Sequence, residues 1–246
     1  MRIAFSKPVA PEDLDRLTSD FRAEGYEGLQ LKAGQYLPYL DDPAKFMQKY
    51  SQPGVASALI YFDELDEARL DAVLLFAKAV RSELVIFCHN RTRESVGDGE
   101  RAEIARQLAV SGRKARDLGL ALSLHHHYDQ PVMLPEDVRE FWGAIEPGLV
   151  GLTVDTAHLA KSGVDDIPAF LAEFAPIIDN IHLKDYADGQ WRLLGEGELD
   201  LEGVLRQLAA DGFDGWLCVD EESTASLDRG FRVSRAWLDQ HLPATR

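Results

Sequence analysis

The stretch Leu84-Val85-Ile86-Phe87-Cys88, followed at once by the polar pair His89-Asn90, decides how the chain is read. A strand with one wet face alternates apolar and polar residues; this one is apolar at both parities, so both of its faces are covered. That is the pattern of a parallel strand lying between a core and a layer of helices. Seven further runs can be read with it: Arg2–Ser6, Gly28–Lys32, Ala56–Phe62, Leu120–His125, Val150–Asp155, Asn180–Lys184 and Trp216–Asp220, with the quoted run starting at Glu83. They recur about every 25 to 37 residues, the length of a βα unit rather than of a hairpin.

Helical periodicity fills the intervals. Leu14, Leu17 and Phe21 share a face that ends at Gly25, and Leu70, Val73, Leu74 and Phe76 behave alike. Ile104, Leu108 and Leu118 follow the fourth run, and Pro135 stands at a first helical position before Val138, Phe141, Trp142 and Ile145. Phe170 and Phe174, then Val204, Leu205 and Leu208, then Trp237, Leu238 and Leu242 complete the series. Only the second crossover is weak, with a short helix starting at Pro43. Strict alternation to eight units predicts a single (β/α)8 TIM barrel spanning residues 1–246. The open doubly wound sheet is the alternative, but no G-x-G-x-x-G or G-x-x-x-x-G-K-[ST] follows the first run.

Composition narrows the function. The 26 Lys+Arg against 42 Asp+Glu give a net charge of −16, which disfavours nucleic acid and anionic membrane surfaces as partners. No run approaches the ~18 apolar residues of a membrane span, and no signal-peptide core follows Met1-Arg2. Cys88 and Cys218 sit far apart in apolar runs and read as buried free thiols, so a cytoplasmic setting is expected.

In such a barrel the chemistry lies at the carboxyl ends of the strands. The later ends carry His125-His126-His127, Asp155-Thr156-Ala157-His158, His182-Leu183-Lys184-Asp185 and Asp220-Glu221-Glu222, so five of the seven histidines fall at three of them. One histidine alone is usually a packed residue; this concentration is not explained that way. Neutral imidazoles mixed with carboxylates suit Mn, Fe, Co or Zn. Strand parity puts His125 with His127 and Asp220 with Glu222 on common faces, turning His126 and Glu221 away. Asp155 and His158, three apart where a strand turns into a loop, can reach one centre, and His182 shares parity with Lys184. Lys32 ends the second run.

Val154-Asp155-Thr156-Ala157-His158, Ile181-His182-Leu183-Lys184-Asp185, Gly195-Glu196-Gly197-Glu198-Leu199-Asp200 and Gly215-Trp216-Leu217-Cys218-Val219-Asp220 resemble, in order, the xylose isomerase-like barrel superfamily. That group includes sugar phosphate isomerases and epimerases, inosose dehydratases and apurinic endonucleases. The resemblance implies one divalent ion, Mn²⁺, Zn²⁺, Co²⁺ or Mg²⁺, held by Asp155 and His182, with Asp220 at the position of the last family Glu. His125 stands where the family has its first Glu, in an H-x-H segment closer to inosose dehydratases. Some of those carry a Glu five residues later, where this chain has Gln130. Glu222 is the substitute on the Asp220 face. The resemblance also places His158, Asp185 and Glu196 near substrate.

The chemistry so implied is enediolate formation beside a carbonyl on a sugar or keto-polyol. Asp220 or Glu222 would act as base, His125 or His127 as acid or base, and Lys184 and Lys32 would bind substrate oxygens. An isomerase or epimerase is the first expectation and an inosose dehydratase-like lyase the second. A sugar-binding barrel with a degenerate metal site is the rival of another class. A homo-oligomer is compatible with all three. Of the aromatic residues in loops on the same side, Tyr36, Tyr39, Tyr186 and Trp191 are the candidates to stack on a sugar ring.

Overall fold

The computed structural model describes residues 1–97 and 99–242. Its strands are β1 (Arg2–Ser6), β2 (Gly28–Leu31), β3 (Ala58–Asp63), β4 (Leu84–His89), β5 (Ala121–His125), β6 (Gly151–Asp155), β7 (Ile178–Leu183), β8 (Asp185–Ala187), β9 (Gln190–Arg192) and β10 (Trp216–Asp220). β1 to β7 and β10 close into a parallel barrel in chain order, with β10 returning to β1 in the register Ser6↔Asp220. β8 and β9 form a separate antiparallel hairpin. The eight barrel strands fall where the sequence predicts them.

The pleat explains why Leu84–Cys88 is apolar throughout. Outward residues such as Phe5, Leu29, Leu59, Val85, Leu122, Leu152, Ile181 and Leu217 join the surrounding helices in the main core. Inward residues Ala58, Ile60, Leu84, Ile86 and Cys88 pack on one another inside the barrel, as do Ala4, Trp216 and Cys218. Each large side chain buried this way contributes roughly 1.5–3 kcal/mol. Both cysteines are buried and free. The inward positions of β2, β5, β6 and β7 differ: Gln30, Ser123, Thr153 and Asn180 are buried polar residues hydrogen-bonded to one another.

Three local features depart from expectation. The segment after β6 is no loop: a helix, Thr156–Lys161, starts on the residue after Asp155. The second crossover holds a helical turn, Ala33–Tyr36, before the expected helix, Pro43–Lys49, in which the Asp42 carboxylate accepts the Lys45 N–H at 3.0 Å. The β8–β9 hairpin turns on Asp188-Gly189, both at positive φ (51° and 74°), as a two-residue type I′ turn requires. Among the described residues no helix is long and apolar enough to cross a membrane.

At the floor of the barrel the Asp179 carboxyl accepts a hydrogen bond from Ser123 Oγ at 2.6 Å and lies against Gly151, where any side chain would overlap it. Asp179 is partly exposed as a residue, but its carboxyl is sunk, and burial pushes its pKa up to about 7 against a counteracting Ser123 hydrogen bond. The native state therefore holds a proton that the unfolded chain releases near 3.8, so stability is full below that pH and falls as pH rises towards 7. Asp179→Asn should accordingly stabilise the protein by about 2–4 kcal/mol at pH 8 and by almost nothing at pH 4, read from denaturant midpoints at the two values. Equal effects at both would refute the raised pKa.

Candidate active site and metal centre

Asp155 ends β6 and caps the helix that follows. Its Oδ1 accepts the N–H groups of Ala157 and His158, each at 2.9 Å. That commitment fixes the carboxylate and leaves Oδ2 buried without a hydrogen-bond partner, aimed into the barrel mouth. Beside it, His125 Nε2 stands 3.8 Å from Asp155 Oδ2 and 3.1 Å from His182 Nδ1. One ligand atom from each of His125, Asp155 and His182 lies within 4.8 Å of the other two. Asp220 Oδ2 is 3.6 Å from His182 Nδ1. A buried carboxylate oxygen that makes no hydrogen bond, two ring nitrogens and a second carboxylate around one point are a donor set that fits a divalent transition ion. Parity on neighbouring strands, with Asp155 paired to His182 and His182 to Cys218, brings them together.

Two ammonium groups share this centre. Lys184 Nζ lies 3.2 Å from Asp155 Oδ2, 2.9 Å from Asp220 Oδ2 and 2.8 Å from Glu222 Oε2. Lys32 Nζ lies 2.7 Å from Asp220 Oδ1 and 2.8 Å from Glu222 Oε1. Burial opposes every one of these charges, yet their mutual attraction outweighs it. Lys184 and Lys32 are held charged above the usual lysine value, and Asp155, Asp220 and Glu222 below the usual carboxylate range. Three carboxylates against two ammonium groups leave the cluster one charge negative.

Four of the imidazoles are held neutral. Burial holds His182 and His158 well below the ordinary value, takes His127 to about 4 and His126 to about 3. His126 points away from the mouth, and its Nε2 accepts the Asp155 N–H at 2.9 Å, steadying Asp155 from behind. His127 and His158 lie ring against ring, centroids 3.8 Å apart, and 5.6 and 5.7 Å from the His125 ring. Trp191, carried on β9, packs 5.0 Å from His158 and 5.0 Å from Lys184 Nζ, so the hairpin roofs the centre. Tyr186 packs on Trp191. Tyr36 is buried with its hydroxyl on Ile60, and Tyr39 packs on Phe46 and Tyr50; both are core anchors.

Other candidates lie apart from the ligand group. Both oxygens of Asp185 are occupied by backbone N–H groups of Tyr186, Gly195, Gly197 and Leu199, at 2.9, 2.9, 2.9 and 3.3 Å, so it folds the 195–199 loop. Gly197 is needed there because a side chain would overlap that carboxylate. Glu196 is exposed and pairs with Arg229. Gln130 is buried in the turn after β5 with Oε1 unpartnered, and no hydrogen bond joins it to His125, Asp155 or His182. Glu221 faces the opposite way, paired with the buried Lys7. Gln30 is a site residue the motifs do not single out: its side-chain amide lies 2.8 Å from His182 Nε2, and the signal for it is a polar residue at inward parity in Gly28-Leu29-Gln30-Leu31.

A closed parallel barrel with a mixed imidazole–carboxylate centre at the carboxyl ends of its strands defines the class. The chain belongs to the xylose isomerase-like TIM barrel family, whose model matches residues 19–241. It is similar to the inosose dehydratase of Lactiplantibacillus plantarum, 26% identical over 167 residues, covering 59% of this chain and 55% of that protein. The chain spans about half the length of the curated relatives it matches. Among solved structures it shares its fold with an L-ribulose 3-epimerase, at a TM-score of 0.81 and 17% identity over 98% of this chain and 94% of that one. The IOLI protein with a bound zinc atom matches at 0.69 and 18%, over 98% and 96%.

Proposed function

We propose that this chain is a divalent-metal-dependent enzyme that moves a proton beside the carbonyl of a sugar or keto-polyol, as an isomerase or epimerase. The observation that carries the reading is the convergence of one ligand atom each from His125, Asp155 and His182 within 4.8 Å of one another. These three, with Asp220, would hold the metal. Bound there, a divalent ion would polarise a carbonyl oxygen and stabilise the negative charge that develops on it; Mn²⁺, Co²⁺ and Zn²⁺ suit the donors.

The chain's own residues do the rest. On one flank His127 and His158 are neutral and can accept a proton; on the other stands Glu222, its side chain 28% exposed, the most accessible carboxylate of the cluster. A proton taken from one face of an enediolate and returned from the other epimerises; returned to the neighbouring carbon, it isomerises. Lys184 and Lys32 hold Asp220 and Glu222 ionised and supply N–H donors to substrate oxygens. Trp191 offers an apolar face and excludes water.

A lyase is the second reading, favoured by similarity to inosose dehydratases together with the His125-His126-His127 segment. The same first proton removal would then be followed by loss of a β-hydroxyl. Metal-loaded protein incubated with ketoses and keto-inositols in D₂O separates the two by NMR. Deuterium beside the carbonyl without loss of water is the expected result. A conjugated enone would move the assignment to the lyase, and no exchange with any substrate, in protein that binds no Mn²⁺ or Zn²⁺, would leave a sugar-binding barrel.

A further inference from the structure

His182 must offer its Nδ1 lone pair to the centre, and for a neutral imidazole that requires the proton to sit on Nε2. A continuous chain of hydrogen bonds through the barrel interior governs this. From His182 Nε2 it runs to Gln30 Oε1 at 2.8 Å, from Gln30 Nε2 to Asn180 Oδ1 at 2.6 Å, and from Asn180 Nδ2 to Thr153 Oγ1 at 3.4 Å. Thr153 Oγ1 is 2.8 Å from Ser123 Oγ, and Ser123 Oγ donates to Asp179 Oδ1 at 2.6 Å. Gln30, Asn180, Thr153 and Ser123 are buried, and the chain joins the barrel mouth to its floor.

Such a chain has two self-consistent directions. If its floor end donates, every member reverses: each hydroxyl turns, both amides flip, and Gln30 presents an N–H to His182 Nε2. That makes His182 carry its proton on Nδ1, which blocks the ligand position. Once ionised, above about pH 7, the Asp179 carboxylate cannot donate, so it selects the first direction. Ser123 must give its proton to Asp179, Thr153 must give its own to Ser123, Asn180 then donates to Thr153, Gln30 to Asn180, and His182 Nε2–H to Gln30. The groups facing the Asp179 carboxyl are the Ser123 hydroxyl of β5 and the backbone at Gly151 of β6. His125 has no such device, its Nδ1 being buried without a partner.

We propose that Gln30 and Asp179 are positioning residues for the centre: together they fix the polarity of this chain and hold His182 in the Nε2–H tautomer, with Nδ1 free to bind metal. The inference rests on the metal-centre reading for its purpose, but the tautomer can be measured without metal. In ¹⁵N-histidine-labelled, metal-free protein at pH 8, above the value to which burial pushes Asp179, His182 should show a protonated Nε2 and a bare Nδ1. Gln30→Leu removes the acceptor and should give mixed tautomers with Zn²⁺ affinity weakened roughly 10- to 100-fold. Gln30→Glu retains an acceptor and should keep the Nε2–H form. Ser123→Ala and Asp179→Ala, remote from the centre, should also shift the tautomer towards Nδ1–H. A wild-type Nδ1–H signal, or a tautomer unmoved in Gln30→Leu, overturns the proposal; one unmoved in both remote variants removes Asp179 from it. Wild-type protein with the expected tautomer but no affinity for Zn²⁺ or Mn²⁺ would instead overturn the metal-dependent function.

Discussion

Lys184→Met should make the stability of this protein depend on divalent metal. The Lys184 ammonium is buried, with Asp155, Asp220 and Glu222 around it at 3.2, 2.9 and 2.8 Å. Methionine preserves much of the side chain's bulk but removes the charge, leaving three carboxylates with only Lys32 as counter-ion. Breaking a buried pair from one side costs about 3–5 kcal/mol, a large part of a total stability that is typically ~5–15 kcal/mol. For a chain of this size the melting temperature in EDTA should fall by roughly 6–20 °C. Excess Mn²⁺ or Zn²⁺ should recover most of the loss, because the ion offsets the same charge and binds only the folded form. Acid should narrow the gap as well. In the wild type Asp155 and Asp220 are held below the usual range, so their contribution is present above about 3.8 and is lost as pH falls through their lowered values. In the variant, burial dominates and raises those values, so protonation relieves the strain and stability rises as pH falls. Equal melting temperatures for wild type and variant in EDTA at pH 7.5 would show that Lys184 is not the counter-ion of the cluster.

That lysine illustrates what could be read without coordinates. Parity on β7 and β10 already put His182 with Lys184 and Asp220 with Glu222, because successive side chains on a strand alternate faces whatever the tertiary context. The same rule sent His126 and Glu221 away from the mouth, where they hold the Asp155 backbone and Lys7. Parity cannot give the distances across the barrel, so the packing of Lys184 and Lys32 directly between the carboxylates was not foreseeable. Two further signals stand in the sequence itself. Asp188-Gly189 between Ala187 and Gln190 is a strong hairpin turn, and it lifts Trp191 over the centre. Asp155 two and three residues before the N–H groups it accepts is an N-cap, and reading it so replaces the loop after β6 with the helix observed there. Asp185 shows the opposite limit: its sequence position beside Lys184 invites a place at the substrate, whereas the N–H group of the adjacent Tyr186 and three more from the 195–199 loop occupy it.

The double duty of Asp155 leads to the second large effect. Oδ1 caps the helix Thr156–Lys161 and Oδ2 faces His125 and Lys184, so two functions can be removed one at a time. Asparagine is as good an N-cap as aspartate. In Asp155→Asn the carbonyl oxygen should keep the Ala157 and His158 N–H groups, and the helix and His158 should stay in place. The amide nitrogen then occupies the position of Oδ2, where it has no negative charge and no lone pair for a metal. The Lys184 ammonium loses one of its three carboxylates but keeps Asp220 and Glu222, and the cluster's charge moves from one negative to neutral, which offsets that loss. Melting in EDTA should shift by only a few degrees, while metal affinity collapses and turnover in the D₂O exchange assay falls by roughly a thousandfold or more, corresponding to several kcal/mol of lost transition-state stabilisation. Asp155→Ala should lose the same activity and in addition about 0.5–2 kcal/mol of stability from the missing cap. The two variants together separate ligation from capping. If Asp155→Asn retains wild-type metal binding and turnover, Asp155 is a cap alone, and the centre must be rebuilt around His125, His182 and Asp220.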